Sequence, residues 1–297
     1  MSKNKYITDD AFHTMLEYPW KRCYIALMRP SERIEIIEGD YLFSNHDNQF
    51  IKDHWDKINK LTLIDPFRMG QLIDLVIDTH NLDGDIVEFG SYKGGSGIMM
   101  ALQLKKLGSK KHIHLFDSFE GLPQPDEIQD KGYRKGQFRS NFDKLSAYIK
   151  ELELSDYITI HKGWFKDTLP HYLSTNTKIS LMHVDCDLYT STMDCFPQVY
   201  PYLCEKGAVV LDDFNDGGRG EKIAITECLT NIGQSAVFQL SYAPQSFFIK
   251  GDTNNNGAIE DAGMYYSLKN LLSNTSYNRW LEKNIEEDYY SKLKAIT

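Results

Sequence analysis

Several features are missing from this 297-residue chain, and each absence removes a class of protein. No apolar run approaches the roughly 20 residues that a membrane helix needs, so no membrane partner is expected. Positive charge is in deficit. A net charge of −9 argues against nucleic acid or an anionic membrane surface as a partner. The five cysteines, Cys23, Cys186, Cys195, Cys204 and Cys228, are odd in number, scattered and never in a C-x-x-C pair. That pattern excludes a disulfide framework and a structural zinc site, and it indicates a reducing compartment. The first ten residues are polar and lack the apolar core of a signal peptide, so a cytoplasmic location is expected. There is no internal repeat and no low-complexity stretch. What is present is ordinary for a globular domain with a sizeable core: 41% hydrophobic and 25% charged residues.

The most informative stretch is Asp85-Ile86-Val87-Glu88-Phe89-Gly90-Ser91-Tyr92-Lys93-Gly94-Gly95-Ser96-Gly97-Ile98-Met99-Met100. Ile86, Val87 and Phe89 form a short apolar run of the kind a buried parallel strand shows. Four glycines follow within eight positions, and an apolar helix begins. Strand, glycine turn and helix open a nucleotide-binding α/β fold, because glycines admit close backbone approach and the helix start offers free N–H groups. The dinucleotide fingerprint G-x-G-x-x-G requires a glycine where Tyr92 stands. Glu88, inside the strand end, suits a ligand with a positive group at this spot better than a pyrophosphate.

Asp65-Pro66 reads as a helix start, and residues 66–79 as the helix. Beyond the central strand, strands and helices alternate. Strands are expected at 112–116, 157–161, 179–184 and 208–211, with a closing hairpin at 236–242 and 246–250. Helices are expected at 141–154, 192–202 and 221–231. This rhythm predicts a mostly parallel central sheet with an antiparallel edge strand and helices on both faces. Residues 1–60, with helical segments at 10–18 and 50–63 and an apolar stretch at 34–43, read as an N-terminal helical cap or lid. Residues 61–250 form the main domain. Residues 251–297 are a helical extension, amphipathic in the way of tails that pair in homo-oligomers.

In open α/β sheets ligands gather at the carboxyl ends of the strands. The residues expected there are Glu88, Asp117, Asp185 with Asp187, and Asp212 with Asp213, all acidic and each after an apolar strand. Asp117 is placed to hydrogen-bond ribose hydroxyls, or alternatively to cap the next turn. Asp185, Asp212 and Asp213 bring three carboxylates to two strand tips. Such a cluster repels itself, so a divalent cation is its natural compensation, and oxygen-only ligands point to magnesium, calcium or manganese. Asp185 and Asp187 share strand parity, so an extended backbone would face both into the site. The alternative places Asp187 as a cap on the following helix. His114 and His183 lie inside strands and read as hydrogen-bonded core residues.

Five segments in order carry a family resemblance across residues 60–250. They are Val87-Glu88-Phe89-Gly90-Ser91-Tyr92-Lys93-Gly94-Gly95-Ser96, Phe116-Asp117-Ser118-Phe119-Glu120-Gly121-Leu122-Pro123, Gly163-Trp164-Phe165-Lys166-Asp167-Thr168-Leu169-Pro170, His183-Val184-Asp185-Cys186-Asp187-Leu188-Tyr189 and Leu211-Asp212-Asp213-Phe214. Together they resemble the macrocin O-methyltransferase family. The resemblance implies a Rossmann-like class I methyltransferase fold, S-adenosylmethionine and magnesium as cofactors, and a sugar or glycoside as the small-molecule partner. It implies that Glu88, Ser91, Tyr92, Gly94, Gly95 and Ser96 surround the methionine part. Asp117 and Ser118 would hold the ribose, and Gly163, Trp164 and Phe165 would border the adenine. Asp185, Asp212 and Asp213 would bind the metal, and Asp187 would be the general base. Leu188 stands where related catechol-type enzymes carry a lysine base.

Two other functions compete. A nicotinamide-dependent oxidoreductase or epimerase is opposed by Tyr92 and by the lack of a Y-x-x-x-K pair near the site. A non-catalytic binding protein on a methyltransferase scaffold is opposed by the intact set of acids.

Overall fold

The computed structural model describes residues 44, 46–174, 176–214, 220–233, 239–240 and 245–251. The segments expected at 10–18 and 34–43, Cys23, residues 215–219 and the tail beyond 251 lie outside these residues.

The described chain runs α1 (Asn48–Ile58), α2 (Pro66–Thr79), β1 (Asp85–Phe89), α3 (Gly95–Leu107), β2 (Ile113–Asp117), α4 (Phe142–Glu151), β3 (Ile158–Lys162), α5 (Phe165–Tyr172), β4 (Ile179–Val184), α6 (Tyr189–Val199), a short 3₁₀ turn (Tyr200–Tyr202), β5 (Leu203–Leu211), α7 (Gly220–Asn231), β6 (Gln239–Leu240) and β7 (Ser246–Ile249). The seven strands form one sheet in the order β3-β2-β1-β4-β5-β7-β6. Strands β1 to β5 pair in parallel, and β7 is antiparallel to both β5 and β6. The expected mixed sheet is therefore present. Its antiparallel strand sits one place in from the edge, with two-residue β6 outside it. Among the described residues no helix is long and apolar enough to cross a membrane.

Strand alternation sorts the core into two layers. Ile86, Ile113, Leu115, Leu181, Ala208 and Val210 face α1 to α4. Val87, Phe89, Phe116, Met182, Val184, Val209 and Leu211 face α5 to α7. Helices thus cover both faces, which is why the central strands read as near-continuous apolar runs. Phe50, Ile51, Trp55 and Ile58 place α1 in the first layer, so this part of the expected cap is core.

Local chemistry sets the helix that later matters most. The Asp65 side chain accepts from the N–H groups of Phe67 and Arg68 at 2.9 and 3.1 Å, and Pro66 supplies the first helical position. Helix α6 starts at Tyr189, three residues before the position its apolar pattern indicates. Its first N–H is met from afar, by the Asp130 carboxylate at 2.8 Å. Helix α5 is not among the expected helices, and Pro170 lies within it.

Candidate active site

The strand order reverses between β1 and β4, and these neighbours send their helices to opposite faces. A crevice must open above their carboxyl ends. A cavity of about 470 Å³ lies there, lined by residues from every one of the five predicted segments.

One half holds Gly90, Ser91, Tyr92, Ser96, Asp117, Ser118, Gly163, Trp164 and Phe165. Gly90 has φ of +87°, and a Cβ there would overlap the Asp185 carbonyl oxygen, so the two strand tips approach only through glycine. Asp117 ends β2 and bridges two turns. Its Oδ2 accepts from the Tyr92 N–H at 2.7 Å and its Oδ1 from the Phe119 N–H at 2.6 Å. Burial nevertheless pushes its carboxyl up to about 6. The Ser118 hydroxyl shapes the same turn, donating to the Gly121 carbonyl at 3.2 Å. Trp164 lines the cavity, and Phe165 packs edge-on to Phe89 at 5.4 Å.

Three of the residues assigned to this half do not line the cavity: Glu88, Gly94 and Gly95. Glu88 is fully buried beneath it, with Oε1 2.9 Å from Nδ1 of His183 and Oε2 without a partner among the described residues. Glu88, expected beside the cofactor, stands in a buried pair with His183. The reason is register: Glu88 lies beside His183 on the adjacent strand, facing the helical layer of α2 and α3. The N–H of Gly95 is taken by the Leu61 carbonyl at 3.1 Å.

The other half is acidic. Asp185, Asp187 and Asp213 each bring a carboxylate oxygen within 4.8 Å of the others. Asp187 does not arrive by strand parity. Strand β4 ends at Val184, and the Leu188 N–H bonds the Cys186 carbonyl at 2.6 Å, a three-residue turn centred on Asp187 at φ +60°. Tyr92 (+51°) and Phe138 (+63°) share this left-handed backbone, and all three line the cavity. Such strain persists only where the surroundings over-determine it, as at binding sites. Burial, then repulsion from neighbouring carboxylates, pushes Asp185 and Asp213 well above the usual carboxylate range. Asp213 is 5% exposed, and its Oδ2 has no partner among the described residues. Three converging carboxylates with an orphaned buried oxygen are a donor set that fits a hard divalent cation.

Asp212 points elsewhere. Its Oδ2 lies 2.5 Å from Nη1 of Arg68, and its Oδ1 accepts from the Gln245 amide at 3.3 Å. Arg68 is fully buried and is held in turn by Asp65 Oδ2 at 2.8 Å and the Leu63 carbonyl at 3.1 Å. The metal trio named by resemblance included Asp212. The structure brings Asp187 within reach of Asp185 and Asp213, and Asp212 lines the same cavity.

Sequence reasoning missed several lining residues: Arg68, residues 61–64, Tyr133, Phe138, Ser191 and Asp194. Arg68 carried a usable signal, a lone cation on a helix whose neighbours Phe67, Met69 and Leu72 are apolar. Tyr133 and Phe138 belong to an irregular segment that no periodicity marks.

The family model for macrocin O-methyltransferase (TylF) matches residues 30–231. The 8-demethyl-8-(2,3-dimethoxy-alpha-L-rhamnosyl)-tetracenomycin-C 4'-O-methyltransferase of Streptomyces olivaceus is 32% identical over 140 residues, which are 44% of this chain and 53% of that protein. Demethyldecarbamoylnovobiocin O-methyltransferase of Streptomyces niveus is 30% identical over 167 residues, 52% of this chain and 63% of that protein. The match therefore spans less than two thirds of either relative. The solved O-methyltransferase NovP is similar in structure, with a TM-score of 0.57 and 25% identity over 65% of this chain and 83% of that one. The order of the five segments, the reversed sheet and these matches agree: the chain belongs to the macrocin O-methyltransferase family.

Proposed function

We propose that this protein transfers a methyl group from S-adenosylmethionine to a hydroxyl of a sugar or glycoside, with magnesium in the acidic half of the cavity. The observation that carries this reading is a juxtaposition. One cavity holds a nucleotide-type half, with Asp117 at the tip of β2, directly beside the convergent Asp185, Asp187 and Asp213.

S-Adenosylmethionine supplies an electrophilic methyl on a sulfonium. Asp117 and Ser118 stand where ribose hydroxyls bind, with Trp164 and Phe165 bordering the base. A divalent cation held by Asp185 and Asp213 would acidify a neighbouring hydroxyl and offset the crowded carboxylates. Asp187 is the base. With the methyl donor bound, the Asp187 carboxylate would take the proton that the acceptor hydroxyl gives up on methylation. Holding nucleophile and methyl in line is the remaining task, and we assign it to residues 61–64, Tyr133 and Phe138, which wall the cavity. Asp212, held by Arg68, lines the same half of the cavity. A cytoplasmic setting fits the scattered, unpatterned cysteines of the sequence.

The test is transfer of labelled methyl from S-adenosylmethionine to a panel of rhamnosides and other glycosides, with and without chelator. Label in a glycoside, abolished by chelation and restored by magnesium, supports the reading. Tight NAD(P) binding without any binding of S-adenosylhomocysteine overturns it.

A further inference from the structure

Between β2 and α4 the chain forms a long irregular segment, residues 118–141. Its middle is pinched into a loop. The Leu122 N–H donates to the Gln137 carbonyl at 2.8 Å, and the Gly136 N–H donates to the Leu122 carbonyl at 2.9 Å. A Cβ on Gly121, at φ +82°, would overlap the Gln137 and Gly136 carbonyl oxygens, so the neck closes only through glycine. Compact surface loops with their ends together are frequently functional. On the return leg Phe138 packs edge-on to Tyr92, with ring centres 6.3 Å apart.

The body of the loop is fastened well away from this neck. Asp130 is 1% exposed, although Lys131, Arg134 and Lys135 beside it are exposed. Its Oδ1 accepts from the Tyr189 N–H at 2.8 Å, and its Oδ2 accepts from the Asp126 N–H at 3.0 Å. Leu188, the N-cap of α6, has no side chain able to accept, so a residue 59 positions away meets the first N–H of the helix. Room for the carboxylate is kept by Gly220, where a Cβ would overlap the Asp130 Oδ1. A buried carboxylate is unfavourable unless hydrogen-bonded, and these bonds join the loop to α6.

The fastening bridges the two halves of the cavity. The neck follows Asp117 and Ser118, in the nucleotide-type half, and Tyr189 stands two positions after Asp187, in the acidic half. The Asp130 carbonyl accepts from the Tyr133 N–H at 3.3 Å, and Tyr133 lines the cavity with Leu122, Pro123 and Phe138.

We propose that Asp130 is a positioning residue, a latch that seats on the first N–H of α6 and thereby holds residues 122–137 closed across the cavity. This rests on the reading of the cavity as the methyl-donor site. Asp130 touches no reacting atom. It acts through the loop, and the loop's opening sets how fast the spent donor leaves.

Asp130→Ala removes both acceptors, and Asp130→Asn keeps the shape and one accepting oxygen. Two rates are read in each variant: tryptic cleavage after Lys131, Arg134 and Lys135, and release of S-adenosylhomocysteine by stopped flow. Losing a charged hydrogen bond should enlarge the open population about tenfold or more. Both rates are therefore expected to rise at least about tenfold in Asp130→Ala and by less in Asp130→Asn, while tryptic cleavage outside residues 122–137 keeps its wild-type rate. Wild-type protein supplies a check that needs no variant to fold: the Tyr189 amide should be protected from hydrogen exchange, and more so with S-adenosylhomocysteine bound. Loop cleavage within about threefold of wild type in Asp130→Ala, general rather than local cleavage, or an unprotected Tyr189 amide overturns the latch and leaves the methyl-donor reading intact. Faster cleavage with unchanged release overturns the loop's control of the spent donor. A wild-type protein that binds no S-adenosylhomocysteine overturns the methyl-donor reading, and cleavage and exchange then still decide whether Asp130 fastens the loop.

Discussion

Nη1 of Arg68 lies 2.5 Å from Oδ2 of Asp212, joining two buried side chains 144 positions apart. The pair ties the first turn of α2 to the tip of β5, and through the Leu63 carbonyl it also holds residues 61–64, which wall the cavity. Removing one member of a buried ion pair strands the other. Arg68→Met should therefore cost about 3–5 kcal/mol of stability in urea unfolding, and the Arg68→Met, Asp212→Asn double variant should recover much of it. A loss below about 1 kcal/mol in the single variant would show that the pair is not structural.

Asp117 makes cofactor binding pH-dependent. Its carboxyl is pushed up to about 6, chiefly by burial. Ribose hydroxyls donate to the ionised form, so the ligand favours deprotonation and binding strengthens as pH rises through about 6. S-Adenosylhomocysteine affinity should be about tenfold lower at pH 5 than at pH 8, since only about a tenth of Asp117 is ionised at the lower value. In Asp117→Asn the profile should flatten across this window. A wild-type affinity that does not change with pH would remove Asp117 from the ribose site.

Asp187→Asn keeps the shape and removes the basicity. Turnover should fall about 10²–10⁴-fold, with partial recovery at higher pH as hydroxide replaces the base. Manganese affinity distinguishes a base from a ligand: a change within about threefold supports the base, and a loss of about 10-fold or more makes Asp187 a ligand. Asp130 meets the first N–H of α6, so a cap from Asp187 would take a later one. Near wild-type turnover in Asp187→Asn would end the catalytic role.

Asp187→Gly should raise stability while abolishing turnover. Glycine relieves a left-handed residue at φ +60° and removes one of several mutually repelling carboxylates. A gain of about 1 kcal/mol in unfolding free energy is expected. A destabilised variant would mean that the turn is held by the Asp187 side chain.

The fold was legible where local chemistry decides it. The run around Val87 and Phe89, the glycines after it, and Asp65-Pro66 each specify their element within a few residues. The acids at the strand tips were legible too, because an α/β sheet delivers every strand end to one edge. What escaped depends on distant partners. The partner of Arg68, Asp212, appears only when the fold brings it alongside. Glu88 reads as a cavity residue until the register pairs it with His183. Asp187 obeys strand parity only while the backbone stays extended, and the turn at Cys186 to Leu188 ends that extension. Helix α6 starts early because Asp130, 59 positions away, satisfies its first N–H.

The most direct measurement is calorimetric titration of S-adenosylhomocysteine into the protein. One ligand is expected to bind per chain, undisturbed by NAD(P). Asp117→Ala should weaken it by roughly one to two decades, the loss of a charged hydrogen bond worth about 1.5–3 kcal/mol. Absence of binding, or an affinity that Asp117→Ala leaves unchanged, would contradict the assignment of this cavity to the methyl donor.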